Sequence, residues 1–349
     1  MKTEHILIIR FSALGDIAMT VPVVDALARQ YPDLRITVLS RAVARPLFDR
    51  LPSNVSFMEA DVRKEYHGVK GLNALYRRLA AKHFTAVADF HNVLRSNYLR
   101  MRFNIDHYRV AHINKHRNGR KRLTAVSDKL LVQQPTSFRN YMDVLEKLGY
   151  PVKPDFKTIF AEGGNDLSLL PDTFNVQREP RQRWIGIAPF AAHEGKIYPL
   201  RLMERVIVLL GERFPSCRIM LFGGGRKENI VLNDWAEKYP HCENASAALG
   251  SLSLELVLMS HLDVMLSMDS ANMHLASIVG TPVVSIWGAT HPFAGFMGWG
   301  QPPENAVQLD LPCRPCSIYG NKPCLRGDYS CLKNISPDQV VDRIAATWK

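Results

Sequence analysis

Three stretches of this chain gather side chains that can do chemistry, and each follows an apolar run of strand length. The first is RFSALGD, Arg10 to Asp16. A carboxylate at Asp16 can take a proton from a substrate hydroxyl, although the same residue also suits a plain helix cap. The second is APFAAHEGKIYP, Ala188 to Pro199, where Lys196 is a flexible cation able to reach a diphosphate and neutralise a leaving group. Taken alone, a loop lysine is more often a solvated charge. The third is DSANMH, in which Asp269, Ser270, Ala271 and Asn272 form a polar turn and His274 lies one turn further along. Amides at the start of a helix carry partial positive charge and suit a phosphate, and His274 can donate to a phosphate oxygen. Asp269, which a diphosphate would repel, points instead to a sugar hydroxyl. Between the second and third stretches, Gly223-Gly224-Gly225 would let backbone approach a ligand, and Glu228 is placed to bind ribose hydroxyls. The first loop lacks the G-x-G-x-x-G spacing and no Walker lysine follows it, which weakens dinucleotide and P-loop readings.

A fourth cluster is CRPCSIYGNKPCLRGDYSC, holding Cys313, Cys316, Cys324 and Cys331. Four thiols at this density in a chain read as cytosolic suggest a structural zinc more than disulfides, with reduced, packed thiols as the plain alternative. Cys217 and Cys242 read as ordinary buried cysteines.

The elements that must position these groups alternate strand and helix. Apolar runs at His5 to Arg10, Arg35 to Ser40, Val55 to Met58, Thr85 to Asp89 and Val110 to His112 read as strands. Helices are expected from Asp16 to about Tyr31, kinked by Pro22, near Ala44 to Leu51, over Lys70 to Lys82, from Val93, and over Ser137 to Leu148. Residues 163–183 lose periodicity and read as a linker. The alternation then resumes, with strands at Trp184 to Ala188, Arg218 to Phe222, Leu262 to Leu266 and Val283 to Trp287. Helices intervene, with Asp269 and Ser270 placed to cap one of them. The pattern predicts an α/β protein of two Rossmann-like domains facing a cleft: 1–170, 171–335, and a C-terminal helix over 336–349 that can pack back on the N-terminal domain.

At 349 residues the chain is long enough for two cores. Its apolar fraction of 46% and charged fraction of 22% exclude disordered and collagen-like classes. It has neither a run of about 18 apolar residues nor a secretory leader pattern, and it reads as cytoplasmic. The net charge of +11 implies an anionic partner: nucleic acid, an acidic membrane surface or a phosphorylated substrate. The excess concentrates between Arg63 and Arg122, where HINKHRNGRKR, His112 to Arg122, looks like an exposed basic loop.

RFSALGDIAMTVP, HEGKIYP and SMDSANMHLASIVGTPVVSIWGAT with the cysteine-rich loop together resemble the ADP-heptose:lipopolysaccharide heptosyltransferase family, glycosyltransferase family 9. The resemblance spans nearly the whole chain. It implies a GT-B fold with the acceptor on the N-terminal domain, near Arg10, Ser12 and Gly15, and the nucleotide-sugar donor on the C-terminal one. It also implies an inverting, metal-independent transfer of heptose from ADP-heptose to an inner-core sugar. Asp16 then matches the general base, Lys196 the lysine near the donor phosphates, and Asp269 to Asn272 with His274 the donor loop. The chain departs from the family pattern in carrying Ser270-Ala271 where many members have threonine-glycine, and Ile197-Tyr198 where a tryptophan is usual. The partner implied is an anionic, lipid-linked saccharide at the cytoplasmic face of the inner membrane, with no nucleic acid. Competing readings are another GT-B nucleotide-sugar enzyme, such as an epimerase or a transferase of a different donor, and a polyanion-binding module.

Overall fold

The computed structural model describes residues 4–160, 165–172, 174 and 178–348. In chain order the elements begin β1 (His5–Ile9), α1 (Leu14–Ala18), α2 (Val21–Gln30), β2 (Arg35–Ser40), β3 (Val55–Glu59), α3 (Gly68–Ala80), β4 (Ala86–Asp89), α4 (Leu94–Ile105) and β5 (Arg109–His112). They continue with α5 (Arg117–Leu123), α6 (Ser137–Lys147), β6 (Trp184–Ala188), α7 (Leu200–Arg213), β7 (Arg218–Leu221), α8 (Arg226–Lys238), β8 (Cys242–Asn244), α9 (Ala245–Leu249) and α10 (Leu252–Ser260). The last are β9 (Val264–Met268), α11 (Ala271–Ile278), β10 (Val283–Ile286), β11 (Ala306–Val307), α12 (Ser330–Lys333) and α13 (Pro337–Thr347).

The chain forms two compact units. One runs to Lys115 and includes Thr136–Ile159, while the other takes His116–Pro135 and the chain from Phe160 on. The polypeptide therefore passes between units at 115/116, 135/136 and 159/160, where the sequence reading has a single boundary at 170/171. Of the expected linker over 163–183, residues 163, 164, 173 and 175–177 lie outside the described residues.

In the first unit five parallel strands run in the order β3-β2-β1-β4-β5. In the second, six parallel strands run β8-β7-β6-β9-β10-β11. Both are doubly wound sheets, as the strand-helix alternation predicts. Their central strands are predominantly apolar because helices cover both faces; Ile6, Leu7, Ile8 and Ile9, and equally Val264, Met265 and Leu266, are fully buried. Helix α13 belongs to the second unit: Val340, Val341 and Ile344 pack into the core of Ile185, Ile187, Leu210 and Ile286.

Two local expectations change. The helix expected from Asp16 to Tyr31 is broken, with α1 closing at Met19 and Thr20 and α2 starting one residue before Pro22. A proline that cannot donate an amide is tolerated in a first turn and not in a second. The basic tract is not an exposed loop throughout, since Arg117–Leu123 forms α5 and Arg120 is buried. Its guanidinium donates to the Tyr319 hydroxyl at 3.1 Å and lies 4.8 Å from the Phe296 ring centroid, which removes one cation from the solvated set.

Candidate functional site

In a doubly wound sheet, ligands bind beyond the carboxyl ends of the two strands where the winding reverses. That point falls between β1 and β4 in the first unit. The loop after β1 carries Arg10, Ser12 and Asp16, and the loop after β4 carries His91 and Asn92. Asp16 is the third residue of α1. Its Oδ2 accepts from the Ala13 amide at 3.1 Å and lies 2.5 Å from the Arg10 guanidinium, with a third of its side chain exposed. It therefore closes its own helix turn and also presents a carboxylate to solvent. Arg10 is buried and donates to the Phe90 carbonyl at 2.7 Å, so it holds Asp16 from beneath. Gly15 is buried in the first turn.

Sequence reasoning passed over the β4 side. Asp89, fully buried, accepts from the amides of His91 (2.9 Å) and Asn92 (2.8 Å) and pairs with Arg100 at 3.3 Å, fixing the loop. His91 Nδ1 lies 3.4 Å from the Phe11 amide, and its Nε2 lies 3.4 Å from Ser12 Oγ. Because the Phe11 amide can only donate, Nδ1 accepts and the proton sits on Nε2, where it can serve Ser12. Burial, with Arg10 and Lys115 adding to it, pushes His91 down to about 3, so the ring is neutral at neutral pH. The signal for this pair was an aspartate closing a buried parallel strand, with a histidine two residues on.

The second unit repeats the arrangement between β6 and β9. Lys196 ends a short 3-10 turn, Glu194–Lys196, after β6, and Asp269 follows β9. The Lys196 ammonium lies 3.0 Å from Asp269 Oδ2, with the aspartate buried. The contact is an ion pair without the alignment of a hydrogen bond. Asp269 thus faces a cation as well as any sugar. Ser270 stands at the N-cap of α11 but accepts nothing from its first turn, because its Oγ is turned to Ser267 Oγ, 3.2 Å away. The expected cap from Asp269 and Ser270 is therefore absent, while Ala271 and Asn272 begin the helix at the sheet edge and His274 is buried on its inner side.

The lysine turn is held from behind. Gly195 accepts from the Ala289 amide at 2.8 Å, and Ala289 in turn accepts from the amides of Cys316 (3.0 Å) and Ser317 (3.1 Å). Gly320, at φ +74, lies so close that a Cβ there would fall 2.4 Å from Lys196 Cγ. Arg314, buried, gives its guanidinium to the carbonyls of Gly288 (2.5 Å), Trp287 (3.2 Å) and Thr290 (2.9 Å), tying the cysteine loop to the strand end.

Beside this pair, the glycine turn after β7 is fixed by two side chains. The Gly223 amide donates to Ser246 Oγ at 3.0 Å, and the Gly224 amide donates to Glu228 Oε2 at 2.7 Å. A Cβ on Gly223 would meet Leu232 at 2.9 Å and Glu228 at 3.2 Å. Ser246 also bonds Glu255, which burial raises above its ordinary value against the pull of that hydrogen bond. Glu255 was legible only as the single acid in LSLELVLMS.

The four loop cysteines line one cavity with Ala289, Arg314 and Tyr329. Two of their sulfurs are turned to local partners: Cys316 to the Ala289 carbonyl (3.8 Å), and Cys324 to the Tyr329 amide (3.4 Å). Burial raises Cys331 to about 11 and also raises Cys316. Among the described residues no three His, Cys, Asp or Glu side chains form a group able to hold a metal ion, so the zinc expectation finds no support. Cys217 and Cys242 are buried thiols, as expected, raised by burial to about 11 and about 12.

Two doubly wound parallel sheets, each with ionisable side chains gathered at its switch point, define an α/β enzyme of the GT-B class. Residues 72–323 match the family model of glycosyltransferase family 9 (heptosyltransferase), and the chain belongs to that family. It is 25% identical over 298 residues to lipopolysaccharide heptosyltransferase 3 of Escherichia coli, covering 79% of this chain and 81% of that one. A shorter match, 26% identical over 135 residues, spans 37% of this chain and 40% of lipooligosaccharide heptosyltransferase 2 of Campylobacter jejuni. In structure it resembles E. coli heptosyltransferase WaaC with ADP-2-deoxy-2-fluoro heptose, with a TM-score of 0.68, 16% identity, and 98% and 99% of the two chains covered. The protein is a glycosyltransferase.

Proposed function

We propose that this glycosyltransferase moves a heptose from ADP-heptose to a sugar of the lipopolysaccharide inner core, with inversion and without a catalytic metal. The observation that carries the reading is the Lys196–Asp269 pair, 3.0 Å apart at the second switch point, beside a helix start whose cap residue accepts nothing from the first turn. In this reading the donor diphosphate draws Lys196 toward itself, and the first amides of α11 take further negative charge. Asp269 then turns to the sugar hydroxyls, Glu228 to the ribose, and His274 supports the phosphate side. Charge developing on the departing ADP falls on groups already in place, a contribution of about 3 kcal/mol per preorganised donor.

On the acceptor side, Asp16 takes the proton of the attacking hydroxyl as its oxygen bonds to the anomeric carbon, and the bond to the ADP oxygen breaks on the opposite face. Arg10 and the Ala13 amide hold the carboxylate, and Ser12, oriented by neutral His91, binds the acceptor. Two features support an acceptor at a membrane surface on the cytoplasmic side: the basic excess of the N-terminal half, and relatives named for lipopolysaccharide synthesis. Among the described residues no helix is long and apolar enough to cross a membrane.

The test is Asp16→Asn, assayed by mass spectrometry with ADP-heptose and a core acceptor. Transfer is expected to fall at least about a hundredfold, in line with loss of a general base, while calorimetric donor affinity stays within about twofold. Turnover near that of the parent chain would refute the base assignment. A product formed from the donor alone would replace transfer by epimerisation, and a preference for UDP- or GDP-sugars would overturn the donor.

A further inference from the structure

Helix α4 buries Ser96, Leu99 and Phe103 against the first unit's sheet. At about 100° per residue, Leu94, Met101 and Ile105 fall within a narrow sector on the opposite side, which ought to be polar. They are 87%, 48% and 61% exposed. This apolar ridge, about 17 Å long at 1.5 Å per residue, faces solvent along the whole helix.

One border is cationic, while Asn97 and Asn104 make the other neutral and polar. Arg95 is exposed on one flank. Arg102, on the same flank, donates to Asn73 Oδ1 at 3.1 Å and lies 4.7 Å from the Tyr76 ring centroid, which ties it to α3. Lys70 and Arg77, three and four residues either side of Asn73, are exposed on that edge of α3, and Val69 beside them is 67% exposed. Neither helix contains an aspartate or a glutamate.

We propose that the α4 ridge and the α3 edge form the surface by which this protein docks on an anionic lipid bilayer. The proposal deepens the reading of a lipid-linked acceptor, on which it rests. Leu94, Met101 and Ile105 enter the boundary between headgroups and acyl chains, and Arg95, Arg102, Lys70 and Arg77 meet lipid phosphates. A second copy docking through the same face would bring its arginines against their own counterparts. A nucleic acid would use the cations and leave the ridge in water.

The test is co-sedimentation of the full chain with phosphatidylcholine vesicles, with and without phosphatidylglycerol, in parallel with transfer to a water-soluble, deacylated acceptor. Binding is expected only with phosphatidylglycerol present. It should fall about tenfold or more in L94S/M101S/I105S, as expected when buried apolar area is lost, and lose its salt dependence in K70E/R95E. The serine variant should keep the thermal midpoint and the soluble-acceptor rate of the parent. Unchanged vesicle binding in the serine variant overturns the proposal, as does parent binding to nucleic acid but not vesicles, or a dimer that the serine variant dissolves. Loss of soluble-acceptor transfer in the parent chain would instead count against the transferase reading, leaving the vesicle result to stand by itself.

Discussion

Replacing Lys196 by methionine keeps most of the stem, one atom shorter, and removes its charge, which makes the consequences for Asp269 calculable. At 3.0 Å the pair attracts by about 5.5 kcal/mol at an effective dielectric constant near 20. Much of that only offsets the cost of drying both ions. Lys196 is 16% exposed and Asp269 only 4%, so truncating the lysine strands the deeper charge. The expected loss of stability is about 3 kcal/mol, the low end of what breaking a buried pair costs. Asp269→Asn strands the shallower ammonium and should cost about half as much, since a long stem can carry its head toward water. The double variant should then be no less stable than K196M alone, giving a coupling energy of about 1.5 kcal/mol or more. Tryptophan fluorescence during urea unfolding isolates this signal, because all five tryptophans lie at or beyond Trp184, in the second unit. Additivity of the two single changes to within about 0.5 kcal/mol would refute the pairing. Kinetically, K196M should lower kcat by about a hundredfold or more if the ammonium meets charge on the leaving diphosphate.

Two further outcomes follow from the same geometry. Gly320→Ala places a methyl 2.4 Å from Lys196 Cγ at a backbone φ of +74. It should cut kcat several-fold and cost about 1–3 kcal/mol of stability, the range for a non-glycine residue held in the left-handed region, and a parent-like kcat would show that the lysine's rotamer is not set by that contact. His91 has a folded pKa near 3 against an ordinary 6.5. Between those values the unfolded chain holds a proton that the folded one lacks, so stability is full above about pH 6.5 and is lost as pH falls toward 3, by up to about 1.4 kcal/mol per unit. Calorimetry of His91→Gln between pH 4 and 7 should show this slope reduced by one proton, and an unchanged slope would place the titration elsewhere.

What was legible in the sequence is what local periodicity encodes. Apolar runs such as Ile6 to Ile9 and Val264 to Leu266 announced parallel strands, and the polar turns at their ends announced the sheet edge, so both doubly wound sheets were legible in outline, while the short edge strands β8 and β11, with too few apolar residues to show a period, were not. Contacts that join distant segments were not legible. Lys196 and Asp269 were each assigned to a donor, yet their mutual ion pair spans 73 positions and depends on β6 lying beside β9, the one adjacency where the winding reverses. The same reversal sets Asp16 of the β1 loop beside the His91 loop of β4. Contact between distant segments likewise accounts for the misread basic tract: Arg120 looks like a solvated charge until the fold brings Phe296 and Tyr319 to it.

The cysteine loop shows the converse. Its thiol spacing suggested a metal, but the described structure gives the loop a mechanical task. Ala289 links Gly195 to Cys316 and Ser317, Arg314 gathers the carbonyls of Trp287, Gly288 and Thr290, and Gly320 lies against the Lys196 stem. A loop this densely hydrogen-bonded behind a single lysine is what preorganisation of a cation requires, because an ammonium on four rotatable bonds gains catalytic value only when its stem is already confined. Loosening the loop at Arg314 should therefore reach catalysis through Lys196 before it unfolds the sheet. An Arg314→Lys chain with weakened carbonyl contacts is expected to lose kcat at a pH and temperature where its tryptophan spectrum is still native. Loss of both together would make the loop a part of the core instead.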